Sequence, residues 1–166
     1  MDTKKRIILA VVILIAVTAA ILVIDSFQRG GTLYRYFTTG EFSGNCVPIY
    51  AGTVERARFC SSDAEKLTSF SFTDKSEQKL QQGWFLCDII KLYLKDNELG
   101  PKTTVTVEST ARKKKAELRW KDLADRSKMV ILAVSRQGTL KLVSTMEGLD
   151  SREQWIQEVD RIEVRR

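Results

Sequence analysis

The sequence predicts an α+β fold: a mixed, largely antiparallel sheet with one main helix, preceded by a single transmembrane helix. Three observations predict it. Residues 7–24 carry no charge at all. Residues 83–97 repeat apolar side chains at helical spacing. Elsewhere, short runs alternate apolar and polar residues or are wholly apolar, as strands do.

The uncharged run is bounded by Ile7 and Ile24 and is 18 residues long, with Thr18 its only polar side chain. As a helix it reaches roughly 27 Å, close to the hydrocarbon thickness of a bilayer. A helix is also the single segment that satisfies its own backbone where water is absent. Lys4, Lys5 and Arg6 precede the run and Asp25 follows it. The positive-inside bias keeps residues 1–6 in the cytoplasm and sends the rest across. The expected location is therefore the cell membrane, single-pass, with a signal anchor and an extracytoplasmic C-terminal domain. A cleaved signal peptide is the alternative, but the small residues lie inside the run and residues 21–24 continue it.

Residues 25–45 form a connector broken by Gly30, Gly31, Gly40 and Gly44. Its Tyr34, Tyr36 and Phe37 suit either the bilayer interface or packing on the domain. Residues 46–166 form the soluble domain. Residues 47–50 and 53–59 flank Ala51-Gly52 as a hairpin. Residues 67–73 alternate, with Phe70 and Phe72 on one face. Residues 74–82 are polar and suit a loop. The helix over 83–97 carries Phe85, Leu86, Ile89, Ile90, Leu92 and Tyr93 on its apolar face, and Gly100-Pro101 stops it. Strands follow at 103–108 and 116–120. A short helix is placed at 121–126. Residues 129–134 suit a strand buried on both faces, residues 139–143 its neighbour, and residues 159–164 a closing strand.

Gly83-Trp84-Phe85-Leu86-Cys87-Asp88-Ile89-Ile90 resembles the G-x-x-L-x-D-[LI]-[LI] helix start of the oxidoreductase molybdopterin-binding domain, the sulfite-oxidase-like fold. The order of later pieces is similar too. Val105 to Ser109 looks like that family's next strand, and Leu118 to Leu123 like its short Asp-Leu element. Ile131-Leu132-Ala133-Val134 and Gly138-Thr139-Leu140 look like its strand pair. Trp155, with Arg161-Ile162-Glu163-Val164, looks like its close. The resemblance covers roughly residues 60–164. In catalytic members a cysteine thiolate ligates molybdenum, and Cys60 is the nearest candidate here. The family's aspartate-glycine-aromatic turn is replaced by Thr110-Ala111-Arg112, and the chain has no histidine. The resemblance therefore implies a degenerate member that works without the cofactor; molybdopterin bound through Cys60 is the alternative.

The lack of histidine excludes Ser-His-Asp and Cys-His nucleophile pairs and histidine-bearing zinc and iron sites. Three scattered cysteines make a poor metal site. Cys46 and Cys60 enclose 13 residues across the hairpin turn, so an oxidising compartment allows a disulfide; two free thiols are the alternative. Cys87 is either a small buried hydrophobe or a reactive thiol. Arg112, Lys113, Lys114 and Lys115 form the densest charge run. They suit an anion patch or a solvated hairpin tip. Asp150, Glu153, Glu158, Asp160 and Glu163 interleave with Arg152, Arg161, Arg165 and Arg166, the pattern of surface ion pairs.

Net charge is +6, of which about +4 belongs to the chain beyond its N-terminal tip. That is too little for nucleic acid without a concentrated patch. No catalytic residue is assigned. Three functions fit: a non-catalytic binding or assembly module joined to another envelope protein, a molybdopterin-dependent redox subunit, or a binder of small ligands or lipid headgroups at Arg112 to Lys115.

Overall fold

Alternation of apolar and polar residues decides which face of each strand is buried here, and two sheets result. A computed structural model describes residues 46–74 and 78–166. The membrane segment at 7–24 and the connector at 25–45 lie outside the described residues. Among those described, no helix is long and apolar enough to cross a membrane.

Nine strands are described: β1 (Val47–Ala51), β2 (Val54–Phe59), β3 (Phe70–Thr73), β4 (Leu80–Phe85), β5 (Thr104–Ser109), β6 (Lys114–Arg119), β7 (Ile131–Val134), β8 (Leu140–Val143) and β9 (Arg161–Arg165). Three short helices join them: α1 (Ser61–Ala64), α2 (Leu86–Lys91) and α3 (Trp120–Ala124). The first sheet has the order β2-β1-β9-β5-β6 and the second β3-β4-β7-β8. β1 and β9 run parallel, Ile49 beside Ile162, and every other pair is antiparallel. The fold is thus α+β with one mixed and one antiparallel sheet and few helices.

One apolar cluster joins the sheets. Val47, Ile49, Phe59, Val105, Val107, Ile162 and Val164 enter it from the first, and Trp84, Leu132 and Leu142 from the second. In β5 the buried residues are Val105, Val107 and Ser109, every second one, as a one-sided strand requires. β7 is instead buried on both faces: Ile131 and Leu132 are fully enclosed.

Three expectations need correction. The helix does not begin at Gly83. Gly83, Trp84 and Phe85 belong to β4, where Gly83 faces Phe70 on one side and Ala133 on the other. Apolar residues at 84–86 satisfy a two-sided strand as well as a helix, and pairing on both edges decides for the strand. The helix is Leu86–Lys91, its last turn tightening where the Leu92 N–H bonds to the Asp88 and Ile89 carbonyls. Residues 74–82 are not all loop either. Leu80 and Gln81 start β4, and buried Gln81 donates to buried Asp74 at 2.9 Å while accepting from Lys141 at 2.7 Å. A satisfied polar pair lets a polar stretch lie in a sheet.

Trp120 does not end a strand but opens α3, its N–H bonded to the Thr103 carbonyl. α1 carries no apolar periodicity in the sequence. It forms because Asp63 accepts the Cys60 N–H at 3.2 Å.

Candidate functional site

The β1–β2 hairpin sets Val47 opposite Phe59, so the residues just outside, Cys46 and Cys60, face each other at its open end. They form a disulfide, with Cα atoms 4.5 Å apart. Around it, Asp63 is paired with Lys66 at 2.7 Å. Hydrogen bonding from Lys66, then from Tyr93 and the Cys60 N–H, holds the Asp63 carboxyl below its ordinary value. Burial, with Asp63 nearby, pushes the Tyr93 phenol up, and its hydroxyl donates to the Arg58 carbonyl at 3.2 Å.

Two aromatic pairs lead into α2. Phe59 meets Trp84 edge-on at 6.0 Å, and Phe70 meets Phe85 at 4.5 Å between centroids. Arg126 closes this cluster. Its guanidinium lies 4.7 Å from the Phe85 centroid and 5.5 Å from that of Phe70, and it donates to both Asp88 oxygens at 3.0 and 3.1 Å. Cys87 is buried beside Asp88; burial, then the neighbouring carboxylate, pushes its thiol up to about 11. At neutral pH it is a thiol, neither a ready nucleophile nor a ready ligand.

Neither Cys60 nor Cys87 offers molybdenum a thiolate: the Cys60 sulfur is bonded to Cys46, and the Cys87 thiolate is disfavoured. Among the described residues, no group of three or more His, Cys, Asp or Glu side chains is placed to hold a metal ion.

The basic run lies at the turn between β5 and β6. Its four residues are not equivalent. Arg112 is paired with Glu158, its Nε donating at 3.1 Å. Lys114 donates to the Glu153 carbonyl. Lys113, at φ 52°, and Lys115 make no ion pair among the described residues. Alongside β6 runs an open groove of about 650 Å³ whose other wall is the segment 146–156. It is lined by Lys113, Lys114 and Lys115 but equally by Glu117, Glu147 and Glu153, with Leu118, Leu149 and Ile156 at its base. The groove thus presents both signs of charge over an apolar floor. Sequence reasoning misses this balance, because only the fold brings 147 and 153 beside 117.

The C-terminal charges pair only in part within their own stretch, and Glu163, at the centre of those pairs, is buried. Glu163 is flanked by Arg161 at 3.6 Å and Arg165 at 2.6 Å, and Arg166 reaches Glu98 at 3.7 Å. Arg161 also lies 4.1 Å from the Tyr50 ring centroid. Asp160 accepts the Thr110 N–H at 2.8 Å.

No protein-family model matches this chain, and no curated protein matches it in sequence.

Proposed function

We propose that this chain is a membrane-tethered, extracytoplasmic assembly module. One span at residues 7–24 holds a domain of the oxidoreductase molybdopterin-binding type that works without the cofactor and holds a protein partner in the cell envelope. The observation that carries this reading is the Cys46–Cys60 disulfide, which closes Cys60 to metal, beside the aromatic pairs Phe59–Trp84 and Phe70–Phe85 that lead into α2. A disulfide in turn favours an oxidising compartment, which agrees with a domain outside the cytoplasm. The mixed-charge groove beside β6 offers a partner both lysines and glutamates over an apolar base.

Fractionation, metal analysis and pull-down test it together. The expected result is recovery with the membranes, solubilised only by detergent, with a protein partner retained and neither molybdenum nor tungsten. Recovery from the aqueous fraction would remove the tether. A metal content near one atom per chain would restore the redox enzyme. Recovery alone and monomeric, at full yield, would remove the partner.

A further inference from the structure

β6 closes one side of the first sheet, with only β5 beside it. The phase of its ladder is set by Trp120, whose N–H reaches the Thr103 carbonyl at 2.8 Å in line with the pairing of Val105 to Leu118. In an antiparallel ladder hydrogen-bonded pairs alternate with open pairs. Lys114, Ala116 and Leu118 therefore direct their backbone groups to β5. Lys115, Glu117 and Arg119 turn theirs outward, toward the groove shared with segment 146–156, and no backbone bond from them to another segment is made among the described residues. Neither Lys115 nor Glu117 makes a side-chain hydrogen bond or ion pair among the described residues, and Glu117 acts on Arg165 only at longer range. Arg119 is already paired with Asp122 at 3.1 Å.

We propose that β6 pairs antiparallel with β6 of a second copy of this chain, about a two-fold axis at Ala116. This rests on the assembly-module reading and names the partner. Outward backbone groups must meet outward groups, which limits the registers. With Ala116 opposite its own copy, Lys115 faces Glu117 of the second copy, and Glu117 faces Lys115. Lys115 and Glu117 then each gain an opposite charge directly across the ladder, twice over, while Lys114 faces Leu118. Moving the axis to Lys115 or Glu117 sets like charge on like. Moving it to Leu118 leaves only Glu117 to Arg119 in contact, because Trp120 turns into α3. Ala116 then sits at an open pair, where strands approach most closely and a small side chain is needed.

The test uses the full chain in detergent with Ala116→Cys, since facing Cβ atoms at an open pair are within disulfide reach. Mild oxidation is expected to give a covalent dimer that the unsubstituted chain does not give. Lys115→Glu or Glu117→Lys in that background makes both pairs repulsive and is expected to lower the dimer fraction about tenfold. The double exchange, Lys115→Glu with Glu117→Lys, is expected to restore it, which a folding defect would not. No dimer, or a dimer indifferent to either single reversal, overturns the proposal. Cross-linking of the introduced thiol to a different protein also overturns it, yet leaves the assembly-module reading standing. A chain found in the aqueous fraction would end that reading without touching the strand pairing.

Discussion

Gly83 and Leu132 lie so close across β4 and β7 that a Cβ at position 83 would stand 2.0 Å from the Leu132 carbonyl oxygen. The obstacle is backbone in the middle of the second sheet and cannot swing aside. Gly83→Ala is expected to separate β4 from β7 and destabilise the domain by about 3 kcal/mol. Gly100→Ala, with no atom within 4 Å of the new Cβ, is the control. Thermal unfolding followed by circular dichroism compares them, and equal midpoints would refute the contact.

The disulfide contributes through the unfolded chain. Residues 46 and 60 are 14 apart, and cross-linking a loop of that size stabilises by about 3 kcal/mol. Denaturant unfolding with and without reductant should show a lower midpoint for the reduced form. Coincident curves would mean the bond is absent or contributes nothing.

Arg126 joins an ion pair to two aromatic faces. Arg126→Ala is expected to cost about 1 kcal/mol, and Arg126→Lys to recover only part of it, because an ammonium cannot both fork onto Asp88 and lie flat on Phe85. Full recovery by lysine would show that charge alone matters there.

Asp122 supplies a pH dependence. Hydrogen bonds from Lys128 first, and from Arg119, hold its carboxyl below the ordinary value of 3.8. A carboxylate whose value is depressed on folding stabilises above its unfolded value, and that stabilisation is lost as pH falls through the folded one. The stability gap between the unsubstituted chain and Asp122→Asn should be constant from about pH 6 to 8 and close below about pH 4. A gap that stays open in acid would place the effect elsewhere.

Much of the first sheet is legible in the sequence because it is one-sided. Val105, Val107 and Leu118 alternate with polar residues; in the second sheet the apolar run at 129–134 contains the strand with two buried faces, β7. Cys46 and Cys60 are legible as a pair because the hairpin between them is. The place of Gly83 is not legible, since residues 84–86 satisfy either period and only Phe70 and Ala133, distant in sequence, decide between them. Gln81 is equally hidden, because Asp74 and Lys141, which satisfy it, contribute no local pattern. Of the basic run, position is legible and charge balance is not. Glu158 neutralises Arg112 from 46 residues away, and Glu147 and Glu153 reach the groove only through the fold.

The central seat of β9, between β1 and β5, has a consequence for biogenesis. Within the described residues, the strand at the middle of the first sheet is the last to leave the ribosome. Until residues 161–165 have emerged, the β1–β2 hairpin and the β5–β6 hairpin have nothing to join them, and Ile49 and Val107 lack the Ile162 between them. The two hairpins can form early as local units, but this sheet cannot be completed before residues 161–165 have emerged.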